Sequence, residues 1–337
     1  MKKYLIPNKG KFYKANLHMH TTISDGNMTI EETKEKYMEQ GYSIVAFTDH
    51  EIMVPHPELT DENFLAITST EVSVNTRYDC DFRYNKCYHL NFYSKEPNRD
   101  YFKAFTKARM WLKQSFQYIS KNQEEYEFDK IYDVDNVNEV IALANSEGML
   151  VSYNHPVWSL QNYSDYIGLK GLWGVEWYNT GCARDGFIDT MQPIDDLLRK
   201  GEKVYPLATD DAHGLYSCFK GFVMVKAKSL DYDVVFKSLK DGDFYSSTGP
   251  LIDELYVEDG ILHIKTSDVR KIFVTTDRRM TRFINTGELV NEGTLDLNEY
   301  ISTCNKDLSN NFYIRVSLID SEGNEAHTRA YYLDELI

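Results

Sequence analysis

Short apolar runs recur from the start of the chain to about residue 250, at 16–20, 43–49, 64–71, 88–93, 149–155, 173–178, 203–209 and 221–225, each of strand length. The stretches between them place polar and apolar residues at helical spacing and predict helices over 29–40, 101–122, 137–146 and 193–200. That alternation predicts an α/β domain with parallel strands, as an open doubly wound sheet or a closed barrel. After Ser246-Ser247-Thr248-Gly249-Pro250 the pattern changes to short alternating segments at 255–257, 262–266, 271–275, 312–319 and 330–333, with turn signals at Asp259-Gly260 and Glu322-Gly323. The expected organisation is a large domain over 1–250 and a small β-sandwich-like domain over 251–337. No repeat or low-complexity linker separates them, so close packing is expected.

A chain of 337 residues suits one large core and one small one. Its net charge is -15, from 52 acidic and 37 basic residues, with no run of Lys or Arg. On that ground duplex nucleic acid is not expected as a partner. The acidic balance does not exclude phosphate substrates, because bound cations invert the electrostatics around clustered carboxylates. The five cysteines, Cys80, Cys87, Cys182, Cys218 and Cys304, form no CxxC pair and are odd in number, which favours a reducing compartment over a disulfide framework. The opening apolar stretch is broken at Pro7, and no segment reaches membrane-spanning length. A cytoplasmic location with no membrane contact is the expectation. The 25 tyrosines are spread throughout and not interleaved with basic residues, so packing is their expected role.

The polar residues at the strand ends carry the chemistry. His20, Asp49-His50, Glu71, His155 and Asp211-Ala212-His213 fall at or just beyond the C-terminal ends of the predicted strands, the edge where α/β folds place their sites. In Asn16-Leu17-His18-Met19-His20, residues two apart in a strand share a side, so both imidazoles can reach one ion, and Asp25-Gly26 turns a carboxylate back toward them. A lone pair of this kind is weak. Six of the nine histidines, however, belong to this pattern once His89 in the fourth strand is counted, and imidazole mixed with carboxylate suits zinc, manganese or iron. Arg184, in a loop after a strand, could grip a phosphate bidentately. Asp49 could orient His50 or cap a helix. His56, His263 and His327 are assigned to structure or surface.

With these motifs the chain resembles the polymerase and histidinol phosphatase (PHP) family of metallohydrolases over roughly residues 14–250, four separated motifs standing in the family's order. The resemblance implies a distorted (β/α)7 barrel with a metal cluster at the strand ends. It implies that His18, His20, Glu71 and Asp211 hold a first ion, that Glu71 bridges to a second completed by His89 and His155, and that Asp25, His50 and His213 hold a third. The family's Asp-x-His spacing favours Asp211 over Asp210, and Asn16 stands where many members have aspartate. The segments 174–179 and 242–250 are similar to a subgroup with a C-terminal β-domain. Two or three divalent ions are the implied cofactors, and a small phosphorylated substrate, a phosphate monoester or cyclic phosphodiester, is the implied partner. Glu71 is then a bridging ligand, Asp211 or His213 protonates the leaving oxygen, and Arg184 binds substrate. Competing readings are a carboxylic or carbamate ester hydrolase using the same centre, a non-catalytic metal- or ligand-binding module, and a nuclease. A homo-oligomer is left open.

Overall fold

The computed structural model describes residues 2–79, 81–110, 112–126, 129–284, 287–307 and 312–337. Its N-terminal strands are β1 (Lys2–Tyr4), β2 (Lys11–Asn16), β3 (Tyr42–Phe47), β4 (Leu65–Asn75) and β5 (Cys87–Tyr93). They are followed by β6 (Leu150–Tyr153), β7 (Gly174–Asn179), β8 (Tyr205–Thr209), β9 (Phe222–Ala227) and β10 (Phe244–Ser247). Apart from β1, these form one curved sheet in the order β10-β9-β2-β3-β4-β5-β6-β7-β8. The end strand β8 lies back against β9 and β10, giving the distorted barrel.

The barrel sheet is mixed, where the alternation predicted parallel strands. β2, β3 and β4 run parallel, as do β6, β7 and β8, but β5 is antiparallel to both β4 and β6, and β9 to both β2 and β10. The physical reason at β4–β5 is connection length: residues 76–86 are too few for the crossover that a parallel pair requires. Closure depends on Gly221. A Cβ there would lie 2.2 Å from the Thr209 carbonyl oxygen, so only glycine lets the chain entering β9 pass the end of β8 so closely.

Helices form at Ile30–Glu39, Val134–Ser146 and Gln192–Lys200, near the predicted positions. The first starts at a capping box in which Thr29 and Glu32 satisfy each other's backbone N–H groups. The helix expected over 101–122 is not formed; its described residues hold two short 3-10 turns, Lys107–Arg109 and Lys113–Tyr118. Tertiary contacts override propensity here. Phe102, Phe105 and Met110 are buried in the barrel's main core, while Ser115 Oγ donates to the Ile23 carbonyl at 2.7 Å and Gln114 Nε2 to that of Ser24 at 2.5 Å.

The C-terminal strands are β11 (Ile252–Glu258), β12 (Ile261–Val269), β13 (Lys271–Thr276), β14 (Arg282–Ile284), β15 (Val290–Asp296), β16 (Tyr313–Ile319), β17 (Glu325–Thr328) and β18 (Tyr331–Tyr332). One sheet is β1-β11-β12-β15; the other, β14-β13-β16-β17, continues through β10 into the barrel. Alternation places Leu255, Val257, Leu262 and Ile264 in one core with Ile272, Val274, Ile314 and Val316, a β-rich second layer as the sequence pattern predicts. The sequence reading did not include β14, β15, β17 or the helix Asn298–Asp307. The layer is fastened to the barrel by an ion pair in which Arg315 Nη2 lies 3.0 Å from each Asp195 oxygen, and by the ring of Trp177, which meets His327 edge to face. No helix among the described residues is long and apolar enough to cross a membrane.

Candidate metal centre

β2 stops at Asn16, so His18 and His20 lie beyond its end, not within it as the run 16–20 suggests. The backbone nevertheless stays extended between the ends of β3 and β8. Thr48 N–H donates to the Met19 carbonyl at 2.8 Å, and His20 N–H to that of Ala212 at 3.1 Å. Both imidazoles are therefore held on one side, with their Nε2 atoms 3.2 Å apart. Glu71 enters from inside β4, not from its end, and His89 from the neighbouring β5. His155 and Asp211 follow β6 and β8 at φ 27° and 48°, left-handed conformations that side chains other than glycine adopt at a cost.

These residues converge. Asp211 Oδ1 lies 3.2 Å from His18 Nε2 and 3.1 Å from His20 Nε2, while Glu71 Oε1 lies 3.3 Å from His18 Nε2, 3.1 Å from His89 Nδ1 and 3.4 Å from His155 Nε2. Glu71 Oε2 is 3.1 Å from His50 Nδ1. Asp25 sits 3.6 Å from both His20 Nδ1 and His50 Nε2 and 3.3 Å from His213 Nε2. The ligand atoms fall into overlapping groups: His18, His20 and Asp211; Glu71, His89 and His155; His20, Asp25, His50 and His213; and His18, His155 and Glu176. Among the described residues, Glu71 Oε2 and Asp211 Oδ1 are buried with no hydrogen-bond partner, which a resident cation would resolve. The donor set of imidazole and carboxylate fits divalent zinc, manganese or iron.

Charge balance points the same way. Burial opposes protonation of His18, His20 and His89, but the buried carboxylates outweigh it. Asp211 and Glu71 raise His18 well above its ordinary value and His20 to about 10, and Glu71 raises His89 well above its ordinary value. Burial likewise opposes ionisation of Glu71 and Asp211, yet the surrounding histidines hold both far below the usual carboxylate range. Burial, with His20 adding to it, pushes His50 down to about 3. The metal-free cluster thus needs protons to balance its acids, and bound cations would replace those protons.

Asp49 does not orient His50. It accepts from Thr21 N–H at 2.8 Å, Thr21 Oγ1 at 2.9 Å, Ser24 N–H at 3.1 Å and Ser24 Oγ at 2.6 Å, and so shapes the loop that presents Asp25. Gly26 lets that loop fold back, since a Cβ there would meet the His20 carbonyl at 2.2 Å. Asp210 points away from the cluster, toward Thr180 Oγ1, Tyr37 and the backbone N–H groups of Phe219, Lys220 and Gly221. Asn16 links it to this layer by accepting the Asp210 N–H at 3.0 Å. Above the cluster opens a cavity of about 660 Å³ whose walls include Arg77, Arg109, Arg184, Tyr78, Tyr216 and Trp158. Arg184 ends a short helix, Thr180–Arg184, and lies 4.4 Å from the Tyr216 ring centroid.

This arrangement matches a family: the PHP domain covers residues 16–223. The chain belongs to the PHP domain family. The PHP domain spans all ten of the converging histidines and carboxylates, Glu176 included. Solved structures similar to this PHP chain are distant. A two-domain protein containing a predicted PHP-like metal-dependent phosphoesterase from Bacteroides vulgatus shares 12% identity over 98% of both chains, with a TM-score of 0.47. An amidohydrolase from Chromobacterium violaceum shares 13% over 60% of this chain and 88% of that one, TM-score 0.39. The lesion-specific endonuclease PfuEndoQ from Pyrococcus furiosus shares 15% over 68% of this chain and 56% of that one, TM-score 0.42. None of the curated proteins compared with the chain matches it.

The endonuclease corrects one expectation. The exclusion of duplex nucleic acid, drawn from net charge, is withdrawn for this PHP chain. Net charge reports the whole surface, whereas the walls of this cavity carry three arginines. The sequence reading also missed Glu176 as part of the site. Its signal was an acid inside the apolar strand segment Gly174-Val175-Glu176-Trp177, on the face opposite Trp177.

Proposed function

We propose that the chain is a metal-dependent hydrolase acting on a small phosphate monoester or cyclic phosphodiester. The observation that carries this reading is one cavity in which the carboxylate–imidazole cluster faces walls bearing Arg77, Arg109 and Arg184. Guanidinium groups match phosphate oxygens in charge and geometry. In this reading His18, His20, Glu71 and Asp211 hold one ion, Glu71, His89 and His155 a second, and Asp25, His50 and His213 a third. Two or three zinc, manganese or iron ions there would supply activated water near neutral pH and positive charge against the phosphoryl oxygens.

The chain's own groups bind and orient. Arg184, stacked on Tyr216, takes non-bridging phosphoryl oxygens, and Trp158, packed on His89 and His155, keeps water from that wall. Glu71, with no exposed surface, is a ligand and not a base. His213, at 30% exposed the most open side chain of the cluster, is our choice over buried Asp211 for protonating the leaving oxygen when only the first two ions are bound and its imidazole is free of metal. We also propose a division of the chain at residue 250 and a cytoplasmic location, in keeping with the free thiols of Cys87, Cys182 and Cys218. The test is a chromogenic phosphate ester and a chromogenic carboxylate ester assayed side by side. Phosphate ester turnover that exceeds carboxylate ester turnover supports the reading; the reverse order assigns the centre to ester or carbamate hydrolysis.

A further inference from the structure

Glu176 lies in β7 with no exposed surface, and its carboxylate accepts four hydrogen bonds. Oε1 takes His18 Nδ1 at 2.8 Å and Thr209 Oγ1 at 2.6 Å; Oε2 takes the His155 backbone N–H at 3.0 Å and Asn179 Nδ2 at 3.0 Å. With a carboxylate as acceptor, His18 carries a proton on Nδ1, so Nε2, which faces Asp211 and Glu71, is the nitrogen left to hold a metal ion. The same carboxylate pins the backbone of His155 at its unfavourable φ of 27°. His18 groups with His20 and Asp211, and His155 with Glu71 and His89, while a further group joins both histidines to Glu176 itself.

We propose that Glu176 is a positioning residue shared by two metal subsites, fixing the tautomer of His18 and the backbone of His155 at once. All four incoming groups are donors, so the site calls for a carboxylate; a glutamine amide would set N–H against N–H on one side. Glu176 could serve as a direct ligand only by giving up bonds to Thr209 and Asn179 that already fill its lone pairs. A buried carboxylate behind a ligand imidazole also raises its basicity, and loss of such partners weakens metal binding about 10–100-fold. The proposal rests on the metal centre and not on the identity of the substrate.

The experiment uses the full chain and zinc as probe. Chelator competition on Glu176→Gln should show zinc bound about 10–100-fold more weakly at two subsites, in a zinc-free variant that still unfolds in one cooperative transition, at a lower temperature than the zinc-free wild type. Long-range 1H–15N spectra of the zinc-loaded wild type should show His18 protonated on Nδ1 and coordinated through Nε2, a readout that does not need the variant to fold. Wild-type zinc affinity at every subsite in Glu176→Gln, weakening of a single subsite, or a His18 proton on Nε2 would each overturn the proposal. Phosphate release is not read, so failure of the phosphoesterase reading leaves this test intact.

Discussion

Lys130 Nζ donates to Glu51 Oε2 at 2.6 Å, with both side chains shut off from solvent. Glu51 directly follows His50, adopts φ 54°, and accepts the Ser73 N–H on its other oxygen at 2.7 Å. The pair therefore ties the segment before the helix Val134–Ser146 to the loop that carries His50 and to β4, which carries Glu71. Breaking a buried ion pair by removing one partner costs about 3–5 kcal/mol, because the remaining charge stays buried. Lys130→Met should lose that much unfolding free energy in urea, and a loss below about 1 kcal/mol would contradict a tightly closed pair.

The metal-free protein should lose stability with rising pH. His20 is raised in the folded chain from 6.5 to about 10, so it binds its proton more tightly folded than unfolded. Its contribution is full below 6.5 and is lost as pH rises through 10. The Tm of chelator-treated protein should fall across that window, and zinc reloading at neutral pH should release protons, measurable by calorimetry in buffers of different ionisation enthalpy. Zinc uptake without proton release would contradict the charge balance of the cluster.

Asp189 gives the same slope with pH for a different reason. Burial pushes its carboxyl up to about 7, and its Oδ2 has no hydrogen-bond partner among the described residues, while Oδ1 accepts the Val157 N–H at 2.9 Å. A raised carboxyl binds its proton more tightly folded, so stability is lost as pH rises from 3.8 through 7. Asp189→Asn keeps an acceptor for Val157 and removes the buried charge. It should gain at least about 1 kcal/mol at alkaline pH and little in acid, as read by urea unfolding at both ends of the window.

Arg184→Ala should raise KM for a phosphate ester about tenfold, equivalent to about 1.4 kcal/mol, with kcat little changed, because the guanidinium lies on the wall of the cavity and not in the cluster. An unchanged KM would contradict a place for Arg184 in substrate binding.

The residues that converge on the site were legible because metal ligation restricts residue type: histidine and acid recur at the ends of apolar runs, and few other uses of histidine produce that pattern. Strand direction was less legible. An apolar run such as 88–93 carries no mark of being antiparallel to its neighbours, which depends on the length of the 76–86 connection. The failed helix over 101–122 shows the same limit, since Phe102, Phe105 and Met110 have helical spacing but are placed by burial in the barrel core. Glu176 and Asp49 act through hydrogen bonds to residues far along the chain, and spacing alone does not expose such partners.

The most direct test of the central claim is the metal content of the purified full-length protein, measured by elemental analysis together with phosphate release before and after chelation. The account predicts two or more equivalents of zinc, manganese or iron, with activity lost on chelation and restored when the metal is returned. No metal retained, and none rebound on addition, would contradict it.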